Sequence, residues 1–312
     1  MNSSNRIVRS WQLFRSSTRV IASHRKLLVF PLITSALSLV LLAFFLLPPL
    51  AALLLPQPDH SWLQAFVEKM NAAGQHPASE QPRVLSNAVT VASLGYAAAI
   101  YLVSMFAATF CNVAFYNEIL KALAGESVSV RAGFAFARRR IKSIFYWSLF
   151  AGAVGLVIRG LEERFGWVGK IVLGLIGVVW SVASVFAIPV IIREENSNPL
   201  TMLRHSAALL KKTWGEGLVG YVGFALLSWA MLLGSAIFFI GIALLSTQLA
   251  QPLMLAVPAA IIWLLVVLAI SYVANVASSV YRGALYVYAS EGVIPEAYTA
   301  EQLDAAWKVK KA

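Results

Sequence analysis

The sequence predicts an all-α integral membrane bundle of six transmembrane helices, and three observations carry the prediction. Six apolar stretches hold no charged side chain: residues 27–55, 88–115, 144–158, 171–192, 218–246 and 253–280. A hydrocarbon core ~30 Å thick needs about 20 apolar helical residues to cross it. Five stretches meet that length and the third approaches it. The composition agrees, at 59% hydrophobic and 12% charged residues with a mean hydropathy of +0.74. Finally, Lys and Arg are distributed unevenly between alternate loops, which fixes how the chain is threaded.

Before the first stretch lie Arg6, Arg9, Arg15, Arg19, Arg25 and Lys26. The basic region is too long, and the apolar run too extended, for a cleaved signal peptide, so residues 27–55 read as a permanent span. Pro48 and Pro49 are expected to end or kink it. An outer loop at 56–85 follows, with a short amphipathic helix expected at 62–70. The second stretch exits into Lys121, Arg131, Arg138, Arg139, Arg140 and Lys142, and the fourth into Arg193, Arg204, Lys211 and Lys212. Pro189 is expected to kink or close that fourth span. The tail, 282–312, carries Arg282, Lys308, Lys310 and Lys311, with one helix expected at 295–308. With the N-terminus inside, the loops hold 20 basic residues on the inner face and 5 on the outer. Basic residues gather in cytoplasmic loops, so both termini are expected in the cytoplasm.

Each odd-numbered span follows a basic segment with helical periodicity. Ile7, Trp11, Phe14 and Ile21 share one face of the first; Val130, Phe134, Ala137 and Ile141 line the second; Leu200, Leu203, Ala207, Leu210 and Trp214 line the third. Ser127 or Ser129 and Asn198-Pro199 supply start signals. Basic amphipathic helices beside a span are expected to lie in the headgroup layer. The even-numbered spans all leave through an acidic residue and a helix breaker: Glu118 with Gly125, Glu194 with Pro199, Glu291 with Gly292. One reading is a threefold repeat of surface helix–span–span across a single domain, 1–312. The other is that any six-span protein has basic helix ends.

Chemistry is harder to find. His24, His60, His76 and His205 lie scattered, and no metalloprotease, Cys-x-x-Cys, phosphate-loop or nucleophile-elbow pattern occurs. The single cysteine, Cys111, excludes an intramolecular disulfide and reads as a small buried hydrophobe. The sequence therefore predicts no enzyme and no cofactor. Although the net charge is +11, the basic residues flank spans, so nucleic acid is not the expected partner. Anionic lipid headgroups are, through Arg9, Arg15, Arg19, Arg138, Arg139, Arg140, Lys211 and Lys212; a protein partner remains unnamed.

Asn112 and Asn275 occupy matching places in the second and sixth spans, each followed by Val-Ala and a tyrosine, Tyr116 or Tyr281. An unpaired carboxamide in hydrocarbon is costly, so both are expected to point into the bundle, with Glu118 approaching the same polar cluster. They either line a path or glue helices at about 0.6 kcal/mol apiece. The glycines Gly152, Gly155, Gly174 and Gly177 allow the same pair of readings, a broken helix at a site or close packing.

The runs Arg9-Ser10-Trp11-Gln12-Leu13-Phe14 and His24-Arg25-Lys26-Leu27-Leu28-Val29-Phe30-Pro31-Leu32 are distinctive. So are Ala108-Thr109-Phe110-Cys111-Asn112, Trp147-Ser148-Leu149, Phe186-Ala187-Ile188-Pro189-Val190 and Lys211-Lys212-Thr213-Trp214-Gly215-Glu216. In combination they resemble the polytopic prokaryotic membrane family called domain of unknown function 6159, over nearly the whole chain. The resemblance implies a prokaryotic inner membrane and supplies no catalytic residue. Two functional expectations follow: a non-enzymatic scaffold or lipid- and partner-binding membrane protein, or a small uncoupled channel or permease.

Overall fold

The computed structural model describes residues 3–54, 81–164, 167–195, 197–213, 217–246 and 252–304. Among these residues every regular element is helical. In chain order they are α1 (Ser3–Ser23), a 3-10 turn (Arg25–Leu28), α2 (Val29–Leu54), α3 (Gln81–Leu123), α4 (Val130–Arg139) and α5 (Ile141–Arg164). Then come α6 (Trp167–Ala183), α7 (Ala187–Arg193), α8 (Pro199–Thr213), α9 (Gly217–Ser246), α10 (Pro252–Glu291) and α11 (Ala300–Asp304).

Five described segments are long and apolar enough to cross a membrane: Arg25–Pro48, Ser93–Leu123, Ile141–Leu161, Val172–Arg193 and Val257–Glu291. The chain is a helical membrane protein. Within α9 a shorter apolar part, Trp229–Ile242, falls below that length among the described residues. The third stretch, short at 144–158, extends through α5 to Arg164 because the helix continues past its charged end. Pro48 and Pro49 do not end the first helix, which runs on to Leu54. The short helix expected at 62–70 lies outside the described residues.

The fourth apolar stretch is broken. Its helix stops at Ala183 and restarts at Ala187. Pro189, third residue of α7, has no N–H for the carbonyl one turn upstream and crowds it. The buried Ser206 hydroxyl of α8 repairs part of the break by accepting from Phe186 N–H at 3.0 Å. Elsewhere glycine ends the helices: Gly125 and Gly292 have φ of 76° and 68° just after α3 and α10. That left-handed conformation suits glycine at a helix C-terminus. Among the described residues the tail forms a turn and the five-residue α11, and the rest of the helix expected at 295–308 lies outside them.

The packed core sits at one end of the bundle, where α1, α4 and α8 meet the ends of the long helices. Leu27, Phe30, Ile119, Ile144, Val190, Met202 and Tyr281 are all buried there. Helix α1 packs on α9 and α10, α4 on α3, and α8 on α6 and α7. The buried line of α1 is Leu13, Ser16, Ser17, Val20 and Ile21. Trp11, on the expected apolar stripe, is 48% exposed and stacks on Phe14 with ring centroids 5.8 Å apart.

Candidate functional site

Polar contacts at the packed end centre on the acidic residues that follow the even-numbered stretches. Glu118 is fully buried. Its Oε1 accepts from Asn117 Nδ2 at 2.9 Å and from Lys121 Nζ at 3.0 Å. Its Oε2 accepts from the Ser129 backbone N–H at 2.7 Å. Ser129 is the N-cap of α4, and its own hydroxyl accepts from Ala132 N–H. In a capping box the helix's own third residue reaches back to the cap N–H; here Glu118 reaches across from α3 and does that work. A carboxylate there also faces the positive end of the helix dipole. Gly133 makes the close crossing possible: a Cβ on it would stand 2.8 Å from Ala114 O and 2.9 Å from Glu118 Cγ.

The second acidic exit is built differently. Glu194 Oε1 accepts from His205 Nδ1 of α8 at 2.7 Å. The Glu194 and Ile192 carbonyls accept from the two terminal nitrogens of Arg140, at 3.1 and 3.4 Å. Arg140 thus crosses from the end of α4 to cap the C-terminus of α7, where a cation complements the dipole; its guanidinium also lies over the Phe136 ring. At the third exit Glu291 pairs with Arg193 at 2.9 Å. Beyond it Tyr298 OH and Ser17 Oγ lie 2.7 Å apart, joining tail to α1. Burial pushes the Tyr298 phenol well above its usual range.

The expected polar cluster separates. Glu118 is buried, but Asn112 and Asn275 are both exposed, so neither carboxamide points into the packed core. Its neighbours Cys111 and Val113, and Thr109 beyond, are buried, so Asn112 lies with the exposed Ala108 on the side of α3 that no described helix covers at that height. Among the described residues the buried carboxamide is Asn117, whose signal in the sequence is adjacency to an acid at a span exit. Of the expected headgroup contacts, Arg15, Arg19, Arg138 and Arg139 are exposed, and Arg140 is half-buried in the cap just described. The side chains of Arg9, Lys211 and Lys212 lie outside the described residues. Gly152 and Gly155 pack closely on α3, against Leu102 and Tyr101, whereas Gly174 and Gly177 meet nothing within 4 Å. Cys111 is buried. Among the described residues no group of three His, Cys, Asp or Glu side chains is placed to hold a metal. A cleft of about 350 Å³ opens between α2 and α3, lined by Leu41, Phe45, Ile100 and the hydroxyl-bearing Thr34, Tyr96 and Ser104.

Residues 91–295 match the family of unknown function DUF6159. The chain belongs to this family. The matched region runs from α3 to the turn after α10 and so takes in all three acidic exits. No curated protein and no solved structure matches the chain.

Proposed function

We propose that this member of the family is a non-enzymatic, multi-pass protein of a prokaryotic inner membrane, with six spans and both termini cytoplasmic. Its basic face holds anionic headgroups or a protein partner. The observation that carries this reading is the division of labour among charges at the packed end. Arg15, Arg19, Arg131, Arg138, Arg139 and Arg204 are exposed, while Glu118 is buried and Glu194 and Glu291 are paired. The exposed arginines outnumber the other exposed acids of this end, Glu126, Glu195 and Glu296, so its surface is net cationic, and each basic residue near an anionic leaflet contributes about 1 kcal/mol. Exposed apolar residues on or beside the same three helices, Trp11, Ile141 and Leu200, suit a face dipping into the headgroup layer.

The order of helices supports a threefold repeat. Ser17, Gly133 and Ser206 are buried at the crossings of α1, α4 and α8. Each stands four residues after Leu13, Ser129 or Met202 and four before Ile21, Ala137 or Leu210. Gly133 meets Ala114 of α3, Ser206 meets Phe186 before α7, and Ser17 meets Tyr298 after α10. Each connecting helix docks on the exit of the copy before it, the first copy on the last, which closes a ring.

The test is reconstitution in bilayers holding spin-labelled anionic or zwitterionic lipid. The anionic lipid should be motionally restricted in several-fold preference, and Arg138→Gln with Arg139→Gln should reduce that preference. An equal lipid preference in the parent and the double variant would overturn the headgroup reading. Solute flux above that of protein-free liposomes would favour the channel or permease instead.

A further inference from the structure

Arg282 of α10 is a half-buried cation of the packed end whose Nε is buried without an acceptor among the described residues. Its Nη2 donates to Ser279 Oγ at 3.2 Å, and that hydroxyl donates in turn to the Asn275 carbonyl at 3.0 Å. Among the described residues no carboxylate lies within ion-pair distance of the guanidinium: Glu118, Glu194 and Glu291 pair with Lys121, His205 and Arg193. Burying part of a guanidinium without a counter-charge is unfavourable.

The surroundings specify what would satisfy it. Ser271, Asn275, Ser278 and Arg282 follow i, i+4, i+7 and i+11, so they form one stripe along α10. Ser271 and Asn275 are exposed, and Ser278 and Arg282 are half-buried. The stripe is thus open along its length and ends in the guanidinium. The adjoining Gly283 packs against Ile119, the neighbour of Glu118, which anchors the start of α4. Arg282 therefore lies at the level where the connecting helices meet the spans. Under the reading above, that level is the headgroup layer. A planar guanidinium fork held by a hydroxyl matches phosphate oxygens, which take two parallel hydrogen bonds.

We propose that Arg282, oriented by Ser279, is a recognition site for a phosphate group, presented by an anionic phospholipid whose glycerol ester groups lie against Ser278 and Asn275. The proposal rests on the lipid-facing reading of this end, which it deepens from a diffuse collar to one defined site. It also gives the exposed Asn275 a partner outside the bundle in place of one within it.

The full chain, purified in detergent after exposure to phosphatidylglycerol or phosphatidylcholine vesicles, is analysed by native mass spectrometry for retained lipid. The parent should keep a phosphatidylglycerol molecule through detergent exchange, and Arg282→Gln should lower that retention about tenfold, the factor expected for one charge-assisted pair. Arg282→Lys should fall between them, because it keeps the charge and loses the fork. In a separate arm, inorganic phosphate that raises the parent's melting temperature, leaves Arg282→Gln unmoved and displaces no lipid would identify free phosphate as the source of the same chemistry. Equal lipid retention and equal phosphate response in the parent and Arg282→Gln would overturn the site. If Arg282→Gln does not fold, Ser279→Ala replaces it: a several-fold loss supports the site, and retention equal to the parent overturns it. Arg138→Gln with Arg139→Gln should leave the retained lipid in place. Retention lost in Arg282→Gln and kept there, with the spin-label preference unchanged in the double variant, would sink the collar and spare this site.

Discussion

Two parts of one helix, residues 113–120 and residues 93–97 of α3, differ as sharply as any two regions of the molecule. Every residue of the first is buried and every residue of the second exposed, although the helix is unbroken between them. The difference lies in what surrounds them. Around 113–120 the chain supplies its own cover, from α4, α7 and α10, and satisfies the polar groups that this cover encloses. Around 93–97 it supplies little, chiefly Phe45, whose carbonyl accepts from Tyr96 OH at 2.7 Å, and in a bilayer little is needed, since acyl chains are as apolar as leucine and little drives helices together there. Stability is therefore concentrated at the packed end.

The comparison can be broken most directly at Glu118. Glu118→Ala removes the acceptor of three hydrogen bonds, leaving Asn117 and the Ser129 N–H without their partner, and should cost about 3–5 kcal/mol. Unfolding in mixed micelles measures it, and a loss below about 1 kcal/mol would mean that the packed end does not carry the fold. A smaller effect is expected at Tyr298→Phe, which removes one buried hydroxyl contact to Ser17 at about 1 kcal/mol. This variant also tests pH dependence. The Tyr298 phenol titrates above its usual range when folded, so its protonated form is the one the fold favours. That contribution is intact below pH ~10, where an unfolded tyrosine is still neutral, and declines as pH rises beyond. Melting curves should lose stability above pH ~10 in the parent and less steeply in Tyr298→Phe. The smallest effect is expected in the exposed half: Leu42→Ala, at a residue 59% exposed, should change stability by less than about 0.5 kcal/mol. A cost there as large as at Glu118 would erase the distinction between the two regions.

Hydrophobic runs made the long helices legible, because a bilayer demands length and apolarity and little else. Their ends were less so. Pro48 and Pro49 read as an end or a kink, yet α2 passes through both, since a helix within hydrocarbon has no better place to send its backbone groups. Starts were readable where chemistry is local, as at Ser129, which caps α4, and Asn198, whose side chain accepts from Leu200 N–H. The site was half legible. Glu118 was singled out, but its companions were misread. Periodicity groups Asn112 with Ala108 and Phe115 on one face but does not say which faces neighbouring helices cover at each height, so its exposure beside the buried Cys111 and Val113 could not be read from spacing. Arg140 looked identical to Arg138 and Arg139 in sequence, because a half-turn of helix decides which of three adjacent arginines meets the carbonyls of α7.

The contact between Ser17 and Tyr298 joins residues 281 positions apart. At a synthesis rate of ~5–20 residues per second, roughly 14–56 s separate the appearance of the two. Helix α1 must wait through the making of every later span before its partner exists. During that wait its buried face, Leu13, Val20 and Ile21, has only the membrane to lie on. Docking of α1 onto the packed end is consequently a late event, which awaits α9 and α10 and is completed by the tail.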